Sequence, residues 1–274
     1  MTSEARAKDE ARTRVDRVLR VLLPVAVLAL GVVVWELLVS IGNIPPYVLP
    51  GPHLVFSTLI SDWAVLGASL LVTLTTTLEG FLLAAAGGVG LAVLFNQSRL
   101  IEYSLYPYAV ILQVTPIVAI APLIIIWVND VKLSLLICAW IVAFFPILSN
   151  TTVGLNSADH NLVDLFRLYQ AKWWQTLLHL KLPAAMPYFL AGLRISGGLS
   201  LIGAVVAEFV AGTGGTSSGL AYRILESGYQ LRIPRMFAAL LLISLSGILL
   251  FLALSLLSHL CLRRWHESAI KQEG

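Results

Sequence analysis

Six stretches of this chain, near residues 20–41, 69–95, 105–128, 133–153, 188–211 and 236–260, are each long and apolar enough to cross a lipid bilayer. A spanning helix needs about 20 such residues, because the hydrocarbon core is about 30 Å thick and a helix rises about 1.5 Å per residue. At 58% apolar and 12% charged residues, the 274-residue chain falls far from an ordinary soluble globule, in which about a quarter of residues are charged. The expected fold class is an all-α membrane protein with six transmembrane helices.

The third stretch contains Pro107, Pro116 and Pro122, which predict kinks rather than a straight rod. Between the first two stretches, Ile44 to Pro52 hold four prolines in nine residues. That density excludes a helix interior and predicts an extended outer loop leading to a short amphipathic piece. Cys138 and Cys261 fall inside apolar stretches, with no metal-site spacing, and are expected to pack as small residues. Glu4, Asp9, Glu10 and Asp16 in the first twenty residues argue against a removable leader, so the first apolar stretch is expected to stay.

Lys and Arg set the orientation. With the N-terminus inside, thirteen of them fall on inner segments: six between Arg6 and Arg20, then Arg99, Arg167, Lys172, Lys181, Arg263, Arg264 and Lys271. Four fall outside, namely Lys132, Arg223, Arg232 and Arg235, and Arg194 lies within a span. This bias predicts both termini in the cytoplasm: a tail over 1–19, a membrane domain over 20–260 and a second tail over 261–274. It also places the polar, aromatic run DLFRLYQAKWWQTLLHLKLPAAMP, residues 164–187, on the inner side.

That run resembles the cytoplasmic coupling loop of ABC importer permeases, whose pattern is an acidic residue with two alanines, three residues, a glycine, then Ile-x-Leu-Pro. Asp164 takes the acidic position, and Leu180-Lys181-Leu182-Pro183 the closing motif. Trp174-Gln175, the downstream Ala191-Gly192-Leu193-Arg194-Ile195 and the Pro-rich run 44–52 resemble the branch handling nitrate, sulfonates and taurine. Gln170 stands where the pattern has Gly, which predicts the loss of a flexible bend. Within the loop, set at 157–187, a helix over about 161–179 would align Leu162, Leu165, Phe166, Tyr169, Trp173 and Leu177 as an apolar band, with Asp164, Arg167 and Lys172 off it. Two readings fit such a helix: docking into a groove of an ATP-hydrolysing subunit, or lying in the membrane interface. The resemblance favours docking, with Asp164, Leu165, Phe166, Arg167, Gln170, Ala171, Trp173, Trp174, Leu182 and Pro183 as the coupling residues. Asp164 is also expected to stabilise the helix start.

Other residues carry weaker signals. Gly80, Ala84, Ala86 and Gly90 form small-x-x-x-small spacings suited to close helix contact. Glu79, Arg194 and Glu208 are charges inside apolar stretches, where they face protein or a cavity. Arg194 and Glu208 lie fourteen residues apart, a rise of about 21 Å that prevents their pairing. Glu208 is either near the outer mouth of a path or a helix-packing hydrogen-bond group. Gln113, Thr115 and Pro116 bring polarity and a kink to the third stretch and, with Arg194 and Glu208, are the candidate translocation-path residues. The Gly-, Thr- and Ser-rich run 211–219 lacks the Lys of a phosphate loop and is expected to be a flexible outer loop. The five histidines form no His-Glu-x-x-His and no nucleophile elbow accompanies them.

The resemblance implies the MetI-like fold of type I importers in a bacterial inner membrane. It further implies two copies of an ABC ATPase subunit, a second permease copy, and a periplasmic or lipid-anchored solute-binding protein that delivers a small solute; the outward Arg223, Arg232 and Arg235 are compatible with an anionic one. No enzyme activity and no cofactor are expected in this chain, ATP and magnesium belonging to the ATPase, and no nucleic acid is expected as a partner. Two rival readings are a membrane scaffold or sensor holding a soluble partner, and an ion-coupled carrier, for which midplane polar groups are few.

Overall fold

The computed structural model describes the backbone over residues 3–212 and 218–263, and side chains from residue 22 onward. The described residues form helices α1 (Ser3–Ile41), α2 (Pro52–Ser61), α3 (Trp63–Gln97), α4 (Arg99–Val114), α5 (Ile117–Val128), α6 (Val131–Asn156), α7 (His160–Leu168) and α8 (Trp173–Thr176). A π-helical turn (Leu177–Lys181) then runs into α9 (Leu182–Ala211), followed by α10 (Leu220–Tyr229) and α11 (Ile233–Leu262). Five helical stretches are long and apolar enough to cross a membrane, and six if the bent pair α4–α5 counts as one.

Contact register decides that count. A Cβ built on Gly80 would meet Ala139 Cβ at 2.7 Å, and one on Gly88 would meet Ile147 at 3.0 Å, so α3 and α6 run parallel. A chain that leaves α3 at one end of the bundle and enters α6 at the other has been carried back across by α4–α5. The pair is one crossing, sharply broken. Pro116 causes the break: a proline ring disfavours helical geometry at the residue before it, and Thr115 is extended at φ −68°, ψ 123°. The helices on either side are bent by 103°, far beyond a kink. Pro107 and Pro122 are carried inside α4 and α5.

Helix α6 is the centre. Ser196 Oγ of α9 donates to Ala143 O of α6 at 2.6 Å, and Ser200 Oγ donates to Thr77 O of α3 at 2.8 Å, so the α3–α6–α9 layer is bound through small hydroxyls as well as apolar contact. Lipid tails are as apolar as leucine, so close packing and such bonds, at about 0.6 kcal/mol each on average, hold helices together in a bilayer. Phe81, Ala84, Ala92, Phe95, Phe144, Ile147, Leu148 and Leu155 fill the core. The Gly80–Ala84 spacing therefore serves contact within the chain, with Gly88 one turn on, whereas Ala86 and Gly90 are exposed and a Cβ on Gly90 meets nothing. Of the two cysteines, Cys138 is buried and Cys261 exposed.

At the other end of the bundle from the α3 terminus, polar clamps secure the short helices. Asp130 caps α6 by accepting from Leu133 N at 2.8 Å. Arg235 of α11 bonds Asp62 between α2 and α3, and His53 bonds Glu36 of α1 at 2.8 Å. The residues expected as an N-terminal tail continue α1 as helix from Ser3. The outer-loop residues 213–217 and the tail residues from 264 onward lie outside the described residues. Gly212 ends α9 at φ 57°, a left-handed value that suits glycine.

Candidate functional site

The segment joining α6 to α9 lies at the end of the bundle where α3 also terminates. Its first helix starts at Asp159, whose carboxylate accepts from Asn161 N at 2.8 Å. This corrects the expectation that Asp164 stabilises the start. Asp164 sits in the second turn and accepts from Arg167 at 3.1 Å, both side chains well exposed, an arrangement worth only a few tenths of a kcal/mol.

The expected single helix over 161–179 is also corrected: it is two helices at a bend. Ala171 N donates to Phe166 O and Gln170 N to Arg167 O, each at 2.9 Å. These are the paired bonds of a Schellman closure, in which the residue after the cap turns left-handed. That residue is Gln170, at φ 53°. Replacing the expected Gly therefore does not remove the bend; it places a residue with a Cβ where glycine is preferred. The chain restarts at Lys172, whose N–H donates to Gln175 Oε1 at 2.7 Å.

Beyond Trp173 the helix runs unbroken to Ala211. Leu180-Lys181-Leu182-Pro183 thus lies within a continuing helix: Leu182 and Pro183 are half-buried in the first turn of α9. A proline in a continuing helix removes one hydrogen bond and presses on the carbonyl four residues back, here His179. The π turn over 177–181 widens the helix where that clash falls.

The bend divides the predicted apolar band. Phe166, Ala171 and Leu177 are half-buried. Leu162, Leu165, Trp173 and Trp174 are exposed, and Leu168 and Tyr169 are 81% and 80% exposed. An aromatic and aliphatic surface of this kind, left uncovered among the described residues, is suited to binding another protein. A chain of polar bonds seats it on the bundle. Lys181 Nζ donates to Asn96 Oδ1 at 2.9 Å, and Asn96 Nδ2 donates to Asn156 Oδ1 at 2.9 Å. Asn96, Asn156 and Asp159 were not singled out by sequence; nothing in the pattern marks two asparagines sixty residues apart as neighbours.

The candidate path residues are not gathered into one cluster. Glu208 is enclosed where α3, α9 and α10 meet, accepting from Thr73 Oγ1 at 3.1 Å and Ala221 N at 3.0 Å. Gly219 packs against its carboxyl group; both bonds fall on Oε2, which ties α9 to α3 and α10, while Oε1 is buried without a partner among the described residues. Gln113 and Pro116 are exposed beside the α4–α5 break, and Thr115 Oγ1 donates back to Ile111 O at 2.7 Å. Arg194 lies half-buried in α9 with its Nε shielded and unbonded among the described residues.

Residues 84–263 match the family described as "Binding-protein-dependent transport system inner membrane component". An ABC transporter permease protein of Haemophilus influenzae is 32% identical over 241 residues, covering 88% of this chain and 97% of that protein. The aliphatic sulfonates transport permease protein SsuC of Bacillus subtilis is 31% identical over 248 residues, covering 89% and 87%. The riboflavin transport system permease protein RibX of Chloroflexus aurantiacus is 34% identical over 251 residues, covering 90% of each. The chain belongs to the ABC transporter permeases of the binding-protein-dependent, inner-membrane family.

Proposed function

We propose that two copies of this chain enclose a translocation path for a small, anionic solute, delivered by an external binding protein and driven by two separate ATPase subunits. ATP and magnesium would sit on those subunits. The observation that carries this reading is the exposed Leu162–Trp174 surface at the end of the bundle, whose Trp173 end is continuous through the π turn with α9. A push on that surface, when ATP draws the ATPase subunits together, moves a rigid lever. The pair of states it selects, inward- or outward-facing, is biased by the partner's chemistry rather than by any in this chain.

The relatives' names span sulfonates and riboflavin, so it is Arg194 that favours an anion. A half-buried guanidinium whose shielded Nε has no partner among the described residues is costly inside a bilayer unless it faces water or an anion. The outward arginines add less: Arg223 pairs with Glu226 and Arg235 with Asp62.

Purifying the tagged chain from its own membrane in mild detergent tests the assignment. A stoichiometric ATPase is expected to co-purify, and Asp164→Arg is expected to lower its yield at least about tenfold, a loss of some 1.4 kcal/mol, at unchanged chain level. Co-purification of a partner without ATPase activity, or full ATPase recovery with the variant, overturns it. Arg194→Gln is expected to keep the ATPase bound while transport of an anionic solute falls at least about tenfold; unchanged uptake removes the argument for an anion.

A further inference from the structure

Behind α7, where the segment folds back toward the end of α3, lies a cavity of about 480 Å³. Two cations line it, Arg167 from α7 and Lys181 from the π turn, together with Asn96, Gln97, Trp173 and Thr176. None of its lining residues is acidic. The Asp164 carboxylate that pairs with Arg167 is on the open surface, with both side chains largely exposed, and leaves most of the guanidinium donors unused.

Lys181 is the telling residue. It is half-buried, its ammonium donates to a neutral amide oxygen of Asn96, and no carboxylate lies within ion-pair distance of it among the described residues. Arg167 is close enough for the two charges to repel. Withdrawing an ammonium from water without a counter-charge costs free energy, and a second cation raises that cost. An ammonium carries three donors, of which Asn96 takes one. A tetrahedral oxyanion would complete the arrangement: the ammonium serves as a point charge and the guanidinium as a fork, with the Gln97 amide and the Thr176 hydroxyl able to donate as well.

We propose that this cavity is a binding site for a phosphate-type oxyanion, held between Lys181 and Arg167. Its volume lies within the roughly 300–1,000 Å³ of small-molecule pockets, so the phosphate can carry an organic group. Two sources supply that chemistry at the end of a membrane bundle, a phospholipid headgroup and a soluble phosphate ester. Either would tie α7 to the π turn and to α3, stiffening the lever on which the proposed ATPase docking acts. The inference rests on that proposal for its consequence, not for its test, which reads binding and needs no ATPase.

The full-length chain, extracted gently, is assayed for retained phospholipid by phosphorus content and native mass spectrometry. It is then stripped of lipid and titrated with inorganic phosphate in a thermal-shift assay, against potassium chloride at matched ionic strength. One phospholipid per chain, lost in both Lys181→Gln and Arg167→Gln, identifies a lipid headgroup. No retained lipid, but a saturable rise in Tm whose Kd weakens at least about tenfold in both variants, identifies a free oxyanion. Lys172→Gln, a charge loss on the same segment outside the cavity, is expected to change neither readout. Where Lys181→Gln does not fold, Arg167→Gln, an exposed position, decides alone. Absence of both lipid and a saturable shift overturns the site, as does binding that the cavity variants leave intact or that Lys172→Gln abolishes equally.

Discussion

Gln170 is held at φ 53° by two hydrogen bonds that close α7, and the cost of that geometry falls on one Cβ. A left-handed residue other than glycine costs roughly 1–2 kcal/mol, while glycine loses roughly 0.5–1 kcal/mol more chain entropy on folding. The balance favours Gln170→Gly by about 0.5–1 kcal/mol, expected as a rise in the thermal-unfolding midpoint of the purified chain. A drop in stability would mean that the Gln170 side chain makes a contact outweighing its backbone strain. The bend was concealed in the sequence because a 3.6-residue period counts apolar positions and is blind to the sign of φ. Asp159 was concealed for a related reason: a cap is recognisable only once the helix start is known. The run from α6 into the loop offers Asp159 and Asp164 five residues apart as rivals.

Among the elements, α3 and α6 show most directly what small residues do in this bundle. A Cβ on Gly88 would stand 3.0 Å from Ile147 and 3.1 Å from the Leu148 backbone, whereas one on Gly90, two residues on, meets nothing within 4 Å. Gly88→Leu forces a larger side chain into a packed seam, an overpacking that typically costs about 1–3 kcal/mol. Gly90→Leu has open space. The expected outcome is a lowered unfolding midpoint for the first variant and little change for the second; equal effects would show that helix propensity, not packing, governs the site. The positions of α3, α6, α9 and α11 were readable from apolar runs, because a bilayer demands such runs, but each helix extends past its run at one end or both, α3 over 63–97 against an expected 69–95. The extent of the α4–α5 break was not, since Pro116 dictates that Thr115 leave the helix but neighbouring packing sets the 103° that follows. The π turn before Pro183 was invisible too: its cause is a clash between residues of a helix that the Leu-x-Leu-Pro motif had suggested was ending there.

At the scale of the whole molecule, the parallel register of α3 and α6 makes α4–α5 a crossing, and the count of crossings then becomes even. An even count returns α11 to the end of the bundle where α1 began. The Leu162–Trp174 surface shares that end with the α3 terminus, while Asp62 and Lys132 occupy the other. Geometry relates the two ends; the Lys/Arg bias says which is inside. Single cysteines in a Cys261→Ala background separate these statements, since the remaining Cys138 is buried. Tyr169→Cys is expected to react with a membrane-impermeant maleimide in inverted vesicles and not in intact cells, and Lys132→Cys the reverse. Labelling of both from the same side would break the crossing count. Labelling of Tyr169→Cys only from outside would keep the count and invert the orientation, and no cytoplasmic ATPase could then reach the surface proposed to receive it.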